Sequence, residues 1–234
     1  MYEIINPTYP TRVPEKLYER YTAMCDIDAY TTAHVYTVTN ANTAGVAPVS
    51  YTGRPALGVT YNSAITDGLQ CQVPVASVIP QAYQPVVVKA SFASSIMGTA
   101  ELAFGLHVVD TSIIAGKGTD YVLLEKVVGG TTFTLQYRKA SGTAESQSIP
   151  MPALASATWY DMVLILKKDP STAGKGIVTV GFKAGGSEGD AMQWMHDYPV
   201  ATQFPDTVAT APFIATRSGF AAAVNYFGYL AWQL

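Results

Sequence analysis

The sequence predicts an all-β protein, an antiparallel β-sandwich or jelly roll. From about residue 56 onward the hydrophobicity alternates with a period of two, which is the pattern of half-buried strands. Turns rich in glycine and proline separate these runs, and helical patterns are almost absent. Only 13% of the 234 residues are charged and 49% are hydrophobic, which excludes a disordered chain and a coiled coil. We expect about nine to twelve short strands.

Residues 1–55 are predicted to form an irregular N-terminal arm that packs on or beside the sandwich. Three prolines punctuate its start: Pro7, Pro10 and Pro14. The octet from Pro14 to Tyr21 predicts a short helix, because proline suits a first turn and Leu17 lies four residues before Tyr21 on one face. A helix this short is not stable alone and must dock on a neighbouring surface.

The rest of the arm contains one predicted strand. Residues 29–39 are rich in threonine, valine and tyrosine, which favour strands. Residues 40–48 are mostly small and end in a proline, so they predict a loop.

The sandwich domain is predicted to span residues 56–234. Seven segments have the clearest strand patterns: 86–92, 101–109, 121–128, 132–138, 159–167, 177–183 and 224–232. Segment 121–128 is apolar on both faces, which predicts a central strand. The pair Gly129-Gly130 follows it directly and predicts a hairpin turn. Residues 141–156 are polar and interrupted by proline, so they predict a connection.

No catalytic set of residues stands out in the sequence. A sandwich glycosidase needs two carboxylates close together on one face, but the glutamates stand apart: Glu101, Glu125, Glu145 and Glu188. A hydrolase triad needs a histidine beside a nucleophile and an acid. His34, His107 and His196 are more simply interpreted as surface or satisfied strand residues. The prediction is a protein that is not an enzyme.

The candidates for metal ligands and disulfides are equally weak. Asp26 and Asp28 share a strand face at a spacing too wide for one ion, and Asp110 and Asp120 bracket a glycine loop that could hold Ca²⁺. We predict solvated loop carboxylates, no metal and no cofactor. The two cysteines, Cys25 and Cys71, are more simply lone buried thiols than a pair.

The charge pattern bears on partners and location. The net charge of −3 is spread along the chain, so the sequence predicts no nucleic-acid or membrane partner. No signal peptide is visible and no apolar stretch reaches the length of a membrane span. We therefore expect synthesis in a cytoplasm.

Aromatic side chains near the C-terminus are the remaining binding candidates. Trp194, Tyr198 and Trp232 could form a platform on which sugar rings stack. Packing in a core or an interface is the simpler interpretation, and both stay open at this point.

Residues 86–234 resemble the concanavalin A-like jelly-roll domain (lectin, glucanase and laminin-G-like), in the version found in tailed-phage virion proteins. The segments that carry the resemblance are 86–92, 104–106 with 109–112, 119–123 with 132–135, 159–165 with 176–182, and 224–229. The chain departs from the family at Lys183-Ala184-Gly185-Gly186, where the family has Val-Asp-Gly, and at Asn225, where it often has aspartate.

The resemblance implies a structural protein of the virion, made in the host cytoplasm and placed on the capsid surface. We expect a capsid decoration or cement subunit whose partners are the major capsid protein and its own copies, a trimer being possible. The low charge suits this role, because interface cores are depleted in charged residues. The candidate contact residues lie in the arm: Pro7, Pro10, Pro14, Leu17, Tyr18 and Tyr21. The alternative is a carbohydrate-binding module or host-receptor adhesin on a phage head or tail fibre, with Trp194, Tyr198 and Trp232 as its site.

Overall fold

A computed structural model has two antiparallel seven-stranded sheets, which confirms the predicted β-sandwich. It describes residues 37–41, 43–61, 68–73, 78–110, 116–185, 192–218 and 223–233. Within these ranges the helical structure is one 3-10 turn, Met97–Thr99. None of the helical structure in them is long and apolar enough to cross a membrane.

The strands are numbered in chain order. The first sheet has the spatial order β1 (Thr37–Ala41), β4 (Gly68–Gln72), β13 (Ala211–Ser218), β6 (Ala100–His107), β7 (Tyr121–Lys126), β8 (Thr134–Arg138) and β9 (Glu145–Ser148). The second sheet has the order β12 (Trp194–Val200), β11 (Gly176–Ala184), β10 (Tyr160–Lys168), β5 (Val86–Ser94), β14 (Val224–Gln233), β3 (Arg54–Tyr61) and β2 (Thr43–Tyr51).

Strand β7 is an interior strand, as its two apolar faces predict. All six of its residues are buried, and it pairs with β6 on one side and β8 on the other. The predicted turn after it is also confirmed. Gly129 has a φ of +77°, and the N–H of Gly130 donates to the carbonyl of Val127 at 3.0 Å.

The predicted loop at residues 40–48 is wrong, because most of it belongs to β2. This strand lies at the edge of the second sheet and pairs only with β3 among the described strands. An edge strand tolerates small residues and proline, since its outer donors need no partner in the sheet. Strands β1 and β2 lie in different sheets, so both sheets begin before residue 56. The described part of the segment 1–55 is therefore sheet rather than irregular arm.

Five further strands lie outside the segments predicted as strands, namely β3, β4, β9, β12 and β13. Strand β9 lies within the predicted connection 141–156 and has four polar residues at a sheet edge. Strand β13 is buried on both faces between β4 and β6, so it lacks the alternation that reveals half-buried strands.

Large aromatic side chains fill the space between the sheets. Phe92, Phe104, Phe133 and Phe227 are each at most 2% exposed. The ring centroids of Phe92, on the second sheet, and Phe133, beside the first, lie 5.2 Å apart. This contact joins the inner faces of the two sheets.

A buried polar group also bridges the sheets. The hydroxyl of Tyr61 on β3 donates to the hydroxyl of Thr216 on β13 at 2.9 Å, and the amide of Asn225 on β14 donates to the Tyr61 oxygen at 3.0 Å. Burial raises the pKa of Tyr61, against weaker opposing effects of these hydrogen bonds. The phenol therefore stays protonated and can donate across the core.

Both edges of the second sheet carry a proline. Pro48 lies in β2 and Pro199 lies in β12. Proline has no N–H, and its presence in an edge strand blunts that edge against pairing with another chain.

Candidate functional site

The outer face of the second sheet carries a groove of about 790 Å³. Leu164 and Leu166 of β10 join the core, so the residues between and after them face outward. The floor of the groove consists of outward-facing residues of β10 and β11: Ile165, Lys167, Ile177 and Thr179. The volume lies within the range of roughly 300–1,000 Å³ that is usual for small-molecule sites.

One wall of the groove is the loop that leads into β5, and it displays Tyr83. The Tyr83 side chain is 90% exposed. Pro80 and Pro85 bracket the loop and restrict its backbone, since proline fixes φ. The N–H of Lys168, at the end of β10, donates to the carbonyl of Gln81 at 3.3 Å. The ring is therefore held on a restrained loop with its surface open to solvent.

The opposite wall is the edge strand β12, where Asp197 lies exposed. Asp197 pairs with Thr179 across the ladder, and the Thr179 hydroxyl donates to Asp197 Oδ1 at 2.5 Å. This bond orients the carboxylate and leaves Oδ2 outside it. Three strand spacings separate β5 from β12, which makes the groove about 14 Å wide.

The groove combines apolar surface with a few polar groups. Ile177 is 43% exposed in the floor, and Tyr83 adds an aromatic face. Lys167 supplies a hydrogen-bond donor and Asp197 supplies an acceptor. This set can hold a ligand that has both apolar faces and hydroxyl groups.

Farther along the same face of β10 lies a buried charged cluster around Asp161. Its carboxylate is 3.0 Å from Nη1 of Arg54 and 3.1 Å from Nζ of Lys183. Lys89 lies nearby; burial lowers its pKa, although the charge of Asp161 opposes the shift. Because the Asp161 and Lys183 side chains are each only 3% exposed, this cluster stabilises the sheet rather than binding a ligand.

The structure places the aromatic candidates apart from the groove floor. Trp194 of β12 packs against Phe182 with ring centroids 5.6 Å apart, and Tyr198 is 5% exposed on the core side of the same strand. Trp232 lies on β14 opposite Val88, and its side chain lies outside what the structure describes. No sequence signal points to Tyr83 beyond the prolines that bracket its loop.

The remaining candidates divide between described and undescribed parts of the chain. Asp110 and Asp120 lie near His107, and Asp120 Oδ1 accepts the N–H of Ala140 at 2.9 Å. No group of three or more His, Cys, Asp or Glu side chains is arranged for a metal within the described ranges. Cys71 is a buried free thiol, and burial raises its pKa to about 12. The other candidates lie outside the described residues: Pro7, Pro10, Pro14, Leu17, Tyr18, Tyr21, Cys25, Asp26, Asp28, His34 and Glu188.

His107 is a fully buried strand residue at the end of β6, as its flanking β-formers suggested. Its Nε2 accepts the N–H of Gly118 at 2.9 Å, and its Nδ1 lies 2.6 Å from the carbonyl of Val108. This arrangement requires the neutral ring with the proton on Nδ1. Burial lowers the pKa of His107, although the Val108 hydrogen bond and Asp110 oppose the shift. The imidazole therefore fastens the loop after β6 and is not a catalytic base.

Solved structures with the same architecture are dissimilar in sequence. A marine PL-14 alginate lyase from Aplysia kurodai superimposes with a TM-score of 0.58, at 10% identity over 89% of this chain and 94% of that chain. The carbohydrate recognition domain of Emp46p gives 0.51 in its potassium-bound form and 0.50 in its metal-free form. Those identities are 8% and 9%, and each match covers 90% of this chain and 93% of that chain. No protein-family model and no curated protein sequence matches the chain.

The fold is the concanavalin A-like β-sandwich. The resemblance of residues 86–234 to that domain is confirmed at the level of the fold. At about 10% identity the likeness concerns the fold alone, which hosts lectins, enzymes and structural proteins.

Proposed function

We propose that this protein binds carbohydrate in the groove between Tyr83 and Asp197. The observation that carries the proposal is the exposure of the Tyr83 ring, 90%, at the wall of a groove of about 790 Å³. An aromatic ring gives a large, rigid contact face at low cost in conformational entropy, and a sugar ring offers an apolar face of its own.

The polar groups of the groove fit the same ligand class. Lys167 and Asp197 provide a donor and an acceptor above a floor that includes Ile165 and Ile177. Sugar hydroxyls both donate and accept, so they can satisfy both side chains. Support also comes from the fold, since a carbohydrate recognition domain is among the solved structures that share it.

A glycan array with the purified full chain tests this proposal. We expect binding by the wild type and a Kd about tenfold weaker for Tyr83→Ala, because a stacked aromatic contact contributes up to about 1.5 kcal/mol. Val128→Ala, on a distant turn, is the control and should bind like the wild type. Loss of binding on Trp194→Ala or Trp232→Ala, but not on Tyr83→Ala, would move the platform to β12 and β14.

We propose that the protein binds carbohydrate without cleaving it. Incubation of bound polysaccharides with highly purified protein, followed by an assay for new chain ends, should show no turnover. Turnover that falls with Tyr83→Ala would instead make the groove an active site.

A second candidate is the capsid decoration subunit on a virion surface. The observation that favours it is an apolar tip formed by two adjacent turns, where Ile96, Val127 and Val128 are 38%, 51% and 41% exposed. The turns are joined by the N–H of Gly129, which donates to the carbonyl of Gly98 at 2.8 Å. Such a patch suits contact with a major capsid protein or another copy of this chain.

Deletion of residues 1–25 tests the second candidate. If the arm clasps a neighbouring subunit, the shortened protein folds but no longer attaches to capsids. Decoration at wild-type occupancy would contradict the role of the arm.

A further inference from the structure

We propose that the groove selects neutral sugars through the charge of Asp197, and that Thr179, by orienting Asp197, sets which neutral sugars bind. The inference rests on the proposed function, since it names the class of glycan bound in the same groove.

The charges of the groove favour a neutral ligand. Its described lining residues include one ammonium, on Lys167, one carboxylate, on Asp197, and the imidazole of His196. They lie on β10 and β12, with β11 between them. A uronate or sulfate group that approaches the β12 wall meets the carboxylate and is repelled, whereas a hydroxyl group donates to it. This repulsion discriminates against anionic sugars without weakening the binding of neutral ones.

The hydrogen bond from Thr179 fixes the direction in which the Asp197 carboxylate accepts a further hydrogen bond. The hydroxyl holds Oδ1 of Asp197 at 2.5 Å. Asp197 lies exposed on an edge strand, so without this bond its side chain samples several rotamers. With Oδ1 held, Oδ2 points in one direction, and only sugars with a hydroxyl in the matching configuration reach it. Thr179 is thus a positioning residue that acts through Asp197.

The proposal also predicts how binding responds to salt. A neutral ligand releases no counterions and makes no long-range charge interaction. Its affinity should change by less than about twofold between 0.05 and 0.5 M NaCl, although the Debye length shortens severalfold over that range.

The test is a panel of neutral hexose, N-acetylhexosamine, uronate and sulfated oligosaccharides of equal length. It is applied to the wild type, Thr179→Val, Thr179→Ser and Asp197→Asn, after thermal melting has shown that all four fold. We expect the wild type to prefer neutral members. Thr179→Val, which keeps the shape but loses the hydroxyl, should bind about five- to tenfold more weakly and discriminate less among neutral sugars. Thr179→Ser should restore both properties. Asp197→Asn should admit uronate members that the wild type rejects.

The outcomes separate the two proposals. A preference for uronate or sulfate with strong salt dependence, or an unchanged ranking of sugars in Thr179→Val, overturns the selectivity alone. No binding of any panel member by the wild type overturns the proposed function, and the selectivity with it.

Discussion

Arg54 on β3 forms an ion pair with Asp161 on β10, with 3.0 Å between Nη1 and Oδ1, across the two strands that separate them in the sheet. The residues are 107 positions apart in the chain. The guanidinium also lies 5.4 Å from the ring centroid of Trp159, the residue that precedes β10. The two contacts therefore connect the start of β3 to the start of β10.

Replacing Asp161 should therefore be costly. Asp161→Asn leaves Lys183 and Arg54 without their shared carboxylate in a buried site, and we expect the free energy of unfolding to fall by about 3 kcal/mol or more. Urea unfolding measures this change in the free energy of unfolding. Asp197→Asn, which changes an exposed carboxylate, is the matched control and should stay within about 0.5 kcal/mol of the wild type. Equal effects of the two changes would contradict the role of the cluster.

His107 should make stability depend on pH below about 6.5. Its pKa is lowered in the folded state, whereas the unfolded chain has the ordinary value of about 6.5. As the pH falls below that value, the unfolded state takes up the proton first, so the free energy of unfolding decreases. Unfolding curves at several pH values measure the slope. His107→Gln should flatten this slope, and a slope that survives in His107→Gln would contradict the assignment.

Lys126 should make stability rise with pH in the same direction as His107, but at alkaline pH. Its Nζ is buried and donates to the carbonyls of Ala100 at 2.6 Å and Val127 at 3.2 Å. Burial lowers its pKa to about 8, against the opposing charge of Glu101. Between pH 8 and 9 the folded state loses a proton that the unfolded state keeps, so the free energy of unfolding rises by about 1 kcal/mol.

The contribution of Lys126 continues up to about pH 10.4, the ordinary pKa of lysine. Cys71 acts in the other direction from about pH 8.5, because the unfolded thiol ionises there while the folded one does not, so the rise of about 1 kcal/mol is the contribution of Lys126 alone. Lys126→Met should remove the rise between pH 8 and 9, and Lys175→Met, at an exposed position, should keep it. A rise that survives in Lys126→Met would contradict the assignment.

Gly105 on β6 should not accept a side chain. Its φ is +149°, and a Cβ there would lie 2.3 Å from the carbonyl oxygen of Val122 on β7. We expect Gly105→Ala to lower the free energy of unfolding by several kcal/mol, measured by urea unfolding, because two paired strands would have to separate. Gly98→Ala is the control, since its Cβ would point into open space.

The sequence could predict elements whose pattern is local. Strand β7 and the turn at Gly129 followed from an apolar run next to two glycines. Strand β2 could not be predicted in this way, because its small residues and Pro48 resemble a loop unless its edge position is known. Strand β13 is buried on both faces, and its mostly apolar sequence lacks a period of two.

The candidate groove could not be predicted from the sequence, for a different reason. Tyr83 is one of 15 tyrosines, and only its exposure separates it from those in the core. Thr179 and Asp197 meet because β11 and β12 pair in one register, which a single sequence does not reveal. Trp194 on β12 and Trp232 on β14 were candidates because of their residue type alone.

The prolines in β2 and β12 bear on the tendency of a chain with only 13% charged residues to aggregate. Amyloid fibrils grow when a free strand adds to an open sheet edge and this addition repeats along the fibril axis. Electrostatic repulsion between molecules is weak at this charge density. Pro48 and Pro199 each lack a backbone donor in the two outer strands of the second sheet, so we expect backbone geometry rather than charge to hinder strand addition there.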